Sequence, residues 1–132
     1  MRLGLGILLL TGALAGPELA SADPSVPLDS GIEAMFFDQI VEPQAGGETW
    51  LILRYLAPEI GFDAGEKGYE DIAGDLDQLC NNYGLSAAEA AGGIDQVMIT
   101  LMDRPVVRGD SDPEATMFMA AYRPTEGGCV WE

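Results

Sequence analysis

The sequence predicts an α+β domain, an antiparallel sheet of about four to five strands with one main helix over about residues 69–83 packed on one face. Three observations lead there. Tyr69, Ile72, Ala73, Leu76, Leu79, Cys80 and Tyr83 recur at three- and four-residue steps, the repeat of one face of a helix. Several other runs are short, rich in β-branched, aromatic and other apolar residues, and bounded by glycine or proline, as strands are. The two cysteines, Cys80 and Cys129, suffice for one covalent staple between helix and sheet.

Taken in order, residues 1–22 are an export leader rather than part of the fold. Arg2 supplies a positive start, residues 3–16 an apolar core, Pro17 a break, and Ala20, Ser21 and Ala22 the small residues of a cleavage site after Ala22. The apolar run is shorter than the roughly 20 residues that span a bilayer, and no cysteine follows for lipid attachment, so the expected product is soluble and periplasmic or secreted. Residues 23–31, with Pro24, Pro27, Ser25, Ser30 and Gly31, are expected to be a flexible lead-in. A single domain is then expected over residues 32–132.

Within that domain, residues 32–41 carry Met35, Phe36, Phe37, Ile40 and Val41 and are read as a strand, although Glu33, Phe36, Phe37 and Ile40 also fit a helical repeat. Pro43 ends the run, and Gly46 with Gly47 turns it into a second strand containing Trp50, Leu51, Ile52, Leu53 and Tyr55. An acidic, glycine-rich loop reaches Gly68. Glu70 and Asp71 then sit at the positive end of the main helix, and Gly84 is expected to end it as a left-handed cap. Ser86 and Glu89 have capping-box spacing for one further helical turn up to Ala91, before Gly92 and Gly93.

Residues 95–103 alternate, with Val97, Ile99 and Leu101 on one face and Met98, Thr100 and Met102 on the other. Pro105 stops that strand or confines it to an edge. Residues 109–116 form a turn, residues 117–123 return with Phe118, Ala120 and Tyr122 facing one way, and Cys129, Val130 and Trp131 make a last strand.

Charge and composition narrow the chemistry. The 132 residues carry a net charge of −16, and the leader holds one acid, Glu18, and one base, Arg2, so its removal leaves that charge unchanged. Such a surface repels nucleic acid and anionic lipid and favours a basic partner or a cation. The chain has no histidine, which removes Ser-His and Cys-His nucleophile pairs and histidine zinc sites. It also lacks the nucleophile-elbow, P-loop and dinucleotide-binding glycine patterns, and no cofactor is implied. Cys80 and Cys129 lack CxxC spacing, so in an oxidising compartment they are read as a structural disulfide closing a loop of roughly 50 residues, worth roughly 4 kcal/mol in the chain-entropy model.

Four groups of residues remain as site candidates. Asp110, Asp112 and Glu114 alternate oxygen ligands on a turn and could bind calcium, but Pro113 and the missing twelfth-position glutamate break the EF-hand pattern, and a solvated acidic turn is the plainer reading. Arg54 and Arg104 are scarce bases beside predicted strands and are read as structural ion pairs with a carboxylate such as Glu59 or Asp103. Trp50, Ile52, Met98 and Met102 share the sheet face opposite the helix and, if uncovered, would form an apolar interaction patch. Among so many acids, a pair could also serve a small hydrolase or ligand-binding site.

The segments Arg54-Tyr55-Leu56-Ala57-Pro58-Glu59-Ile60, Asp103-Arg104-Pro105, residues 118–123 and Cys129-Val130-Trp131-Glu132 resemble a family of short, exported, uncharacterised alphaproteobacterial proteins. The resemblance covers most of the chain after the leader. Members sometimes carry the label acetolactate synthase, yet the roughly 110 residues left after the leader are far too few for a multi-domain thiamine-diphosphate enzyme. The resemblance implies no activity. The resulting expectation is a non-catalytic periplasmic protein-binding or accessory module, with a carboxylate-based hydrolase or ligand-binding protein and a calcium-stabilised domain as alternatives.

Overall fold

The computed structural model describes residues 25–65 and 67–132. The predicted leader, 1–22, lies outside the described residues. Six strands form one sheet in chain order: β1 (Ser25–Pro27), β2 (Glu33–Pro43), β3 (Thr49–Leu56), β4 (Gln96–Met102), β5 (Met117–Thr125) and β6 (Gly128–Trp131). Among the described residues two α-helices, α1 (Tyr69–Leu79) and α2 (Leu85–Ala91), follow β3 after two short 3-10 turns. The domain is therefore α+β, with six strands rather than the four to five expected.

The sheet is mixed, which corrects the expected all-antiparallel arrangement. β3 and β4 run parallel in the middle, in register from Trp50 opposite Gln96 to Leu56 opposite Met102, while every other pair is antiparallel. Parallel neighbours require a long crossover, and the helical segment between β3 and β4 supplies it. Strands so placed are buried on both faces and read as nearly continuous apolar runs, as Leu51–Tyr55 and Val97–Met102 do.

Leu51, Leu53 and Tyr55 of β3, Val97, Ile99 and Leu101 of β4, and Ala120 and Tyr122 of β5 join Ile72, Leu76 and Leu79 of α1 in one core. The Cys80–Cys129 disulfide ties the end of α1 to β6. Asn81 reinforces it, its Oδ1 accepting the Cys129 N–H at 2.9 Å.

The lead-in expected to be flexible is built into the domain from Ser25 onward. β1 pairs with β2, Leu28 and Ile32 are buried, and the Ser30 N–H and hydroxyl both donate to Asp75 of α1. Asp29 N–H donates to Gln78 Oε1 at 2.8 Å, and Gln78 Nε2 donates back to the Pro27 carbonyl at 3.2 Å. These side-chain bonds from α1 order a segment whose own composition favours mobility.

Gly84 does not end the helix. A π-helical turn over Cys80–Gly84 carries the chain straight into α2, and Gly84 has right-handed dihedrals of −64° and −40°. Its glycine has a packing cause instead: a Cβ there would meet Val97 Cγ1 at 3.0 Å and Cys80 Sγ at 3.2 Å. The helix lies that close to β4. Gly92, at a φ of 77°, ends α2.

Candidate functional site

Two adjacent phenylalanines of β2 part to opposite faces at a β-bulge between Phe36 and Asp38. Phe36 packs edge-on against Tyr55 on the helix side, ring centroids 5.6 Å apart and planes at 74°. Phe37 lies on the other side beneath Arg54, whose guanidinium carbon is 5.2 Å from the ring centroid. The bulge resolves the ambiguity of residues 32–41: a strand with one extra residue mimics part of a helical repeat.

On the helix side this edge forms one wall of a cleft of about 390 Å³, lined by Ser25, Val26, Phe36, Gln39, Leu53, Tyr55, Tyr83 and Ala87. The π-helical turn supplies the opposite wall through Tyr83, which is 43 % exposed. Extra-residue turns of this kind redirect the side chains that follow, and they recur at functional sites.

Tyr55 is 3 % exposed, and burial, with the neighbouring Tyr83, pushes its phenol up to about 12. No protein group among the described residues exchanges a hydrogen bond with its hydroxyl. A buried polar group left in that state is destabilising by roughly 1–3 kcal/mol. At neutral pH Tyr55 can donate a hydrogen bond but cannot act as a base.

The opposite face is covered, which corrects the expected apolar patch. Ile52 and Met102 are fully buried, while Trp50 and Met98 are half-buried. Residues 103–116 cross this face: Val106 is buried, and its carbonyl accepts Arg54 Nη1 at 2.6 Å. Trp50 donates its indole N–H to Glu48 at 3.2 Å.

Arg54 pairs not with Glu59 but with Asp38, donating Nε to Oδ1 at 2.8 Å and Nη2 to Oδ2 at 2.7 Å. The cross-strand register Asp38 opposite Arg54 makes this fork possible. The Asp38 hydrogen bonds raise the Arg54 pKa further, against the opposing effect of burial. Arg104 pairs with Asp103 at 3.2 Å and more distantly with Glu114 at 3.8 Å, and its pKa is raised chiefly by Asp103. Arg108 holds Glu42 at 3.0 Å and lowers its pKa.

The calcium candidates do not converge. Asp112 accepts the Glu114 N–H within its own turn, Glu114 leans toward Arg104, and no group of three carboxylates placed to hold a metal ion occurs among the described residues. Sequence reasoning missed the Phe36–Tyr55–Tyr83 cleft because its walls are distant in the chain. The adjacent Phe36 and Phe37 were the one available signal, since two neighbours on a strand point to opposite faces and cannot both enter one core.

Residues 10–132 match the model of a family of unknown function, DUF6497. The chain belongs to this family. No curated protein and no solved structure matches it. The family match begins inside the predicted leader and runs through all six strands, so the cleft lies on a fold built from family residues. Among the described residues no helix is long and apolar enough to cross a membrane.

Proposed function

We propose that this protein is a non-catalytic, exported binding module whose Phe36–Tyr55–Tyr83 cleft receives a partner protein's side chain with an apolar body and a hydrogen-bond acceptor for Tyr55. The buried Tyr55 hydroxyl carries the reading. It lines an apolar cleft with no hydrogen-bond partner among the described residues, and a ligand atom that accepts its proton would relieve the deficit.

Export to an oxidising compartment, with cleavage after Ala22, belongs to the proposal. It is supported by the leader pattern of residues 1–22 and is compatible with the Cys80–Cys129 disulfide. The net charge of −16 supports a basic partner.

Photocrosslinking in the source cells tests the reading. A benzophenone side chain at position 83 should yield a discrete protein adduct, and the same group at Val107, on the opposite face, should not. Equal labelling from both positions, or none from position 83, would overturn it.

A further inference from the structure

Among the described residues, the outer edge of β2 is unpaired over most of its length. β1 pairs only with Glu33, Ala34 and Met35, and from Phe36 to Pro43 no strand lies outside β2 among the described residues. Proteins usually blunt such an edge with lysine, proline or a short strand. Here the bulge lies at one end, Pro43 at the other, and no lysine lies between. Val41 and Phe36, on the helix side, are 51 % and 42 % exposed.

We infer that this edge takes an extended, basic polypeptide segment by strand addition. The inference rests on the binding reading above and names its partner class. Backbone hydrogen bonds to the edge would hold the segment, and alternate side chains would point to the two faces of the enlarged sheet. One set meets Phe36, Gln39 and the cleft wall at Tyr83. The other set stands beside Asp38, Ile40 and Glu42 on the far face.

Charge chooses among the occupants. Asp38 and Glu42 are each bound by one arginine, yet their side chains remain 37 % and 35 % exposed, with acceptor capacity left for a second cation. A second copy of the chain would add another net charge of −16 and set these carboxylates against their own kind, an unfavourable cross-strand arrangement. A segment alternating apolar residues with lysine or arginine matches both rows.

The probes are a short synthetic peptide alternating valine and lysine, the same peptide N-methylated along one bonding edge, and a valine–glutamate counterpart, each titrated into the ¹⁵N-labelled protein. The lysine peptide should shift the amides of 36–43 together with Tyr55 and Tyr83. N-methylation should weaken binding at least tenfold, and the glutamate peptide should not bind.

Undiminished binding of the N-methylated peptide, with shifts confined to Tyr55 and Tyr83, would overturn strand addition and leave the cleft reading intact. Shifts along β6 instead, or a dimer through β2 before any peptide is added, would also overturn it. No shift at either place with any peptide would count against both readings.

Discussion

Replacing Asp38 by alanine should damage this protein more than removing the arginine it binds. The Arg54 side chain is 6 % exposed, whereas that of Asp38 is 37 % exposed. Asp38→Ala strands a buried guanidinium, which keeps the Val106 carbonyl, a long contact to the Met102 sulfur and the Phe37 ring, and no carboxylate. Loss of a bidentate charged partner from a buried ion pair is typically destabilising by 3–5 kcal/mol, and the partial access of water on the Asp38 side brings the expected cost to about 2–4 kcal/mol.

Arg54→Met removes the buried charge and leaves Asp38 where water can solvate it. Its cost is the freed Val106 carbonyl, about 1 kcal/mol. The double variant should resemble Arg54→Met, because no buried charge remains to strand. Urea unfolding followed by tryptophan fluorescence gives all three values, provided the denaturant slopes agree. An Arg54→Met variant less stable than Asp38→Ala, or a double variant whose loss is the simple total of the single losses, would refute the reasoning.

Three further outcomes follow from the same geometry. Gly84→Ala should be destabilising by about 1–3 kcal/mol, because its methyl group would press on Val97 and Cys80; an unchanged unfolding midpoint would show that the π-helical turn yields. Replacing both cysteines by serine should be destabilising by roughly 4 kcal/mol, for a cross-link spanning 49 positions, and lower Tm by roughly 15–30 °C in calorimetry. Tyr55 should ionise near 12 rather than at its ordinary value of 10.0. Since the folded pKa is the higher one, its contribution to stability is complete below pH 10 and is lost as pH rises toward 12, which phenolate absorbance and thermal melts can follow together, and ionisation of all tyrosines at their ordinary pH would contradict the burial.

How much of this was legible in the chain varies with the range of the interaction responsible. The stripe from Tyr69 to Leu79 is a local repeat, and it appears as α1 with Ile72, Leu76 and Leu79 fully buried. The alternation of Val97, Ile99 and Leu101 against Met98, Thr100 and Met102 is likewise local, and so is the Gly46–Gly47 turn that pairs β2 with β3. The Cys80–Cys129 bridge required only that two cysteines exist and that the fold bring them together.

Other features belong to no single segment. The direction of β4 beside β3 depends on how the helical crossover packs, and the alternation pattern is the same for parallel and antiparallel neighbours. Gly84 read locally is a helix cap; only the nearness of Val97 makes it a close-approach residue. The far face, where Ile52 and Met102 are buried, is reached by the distant segment 103–116 through the Val106 carbonyl on Arg54, and Arg54 finds Asp38 because the β2–β3 register sets them opposite each other.

By itself, then, the sequence determined what periodicity, composition and cysteine number can encode: strands and a helix, an acidic surface, a chain stapled once, and the absence of histidine chemistry. Tertiary structure alone decided the mixed sheet, the covered far face, the edge of β2 left unpaired among the described residues and the cleft that joins Phe36, Tyr55 and Tyr83. The reason is physical. A residue's secondary structure follows largely from near neighbours along the chain, whereas its exposure and its partners follow from whichever distant segment arrives to pack against it.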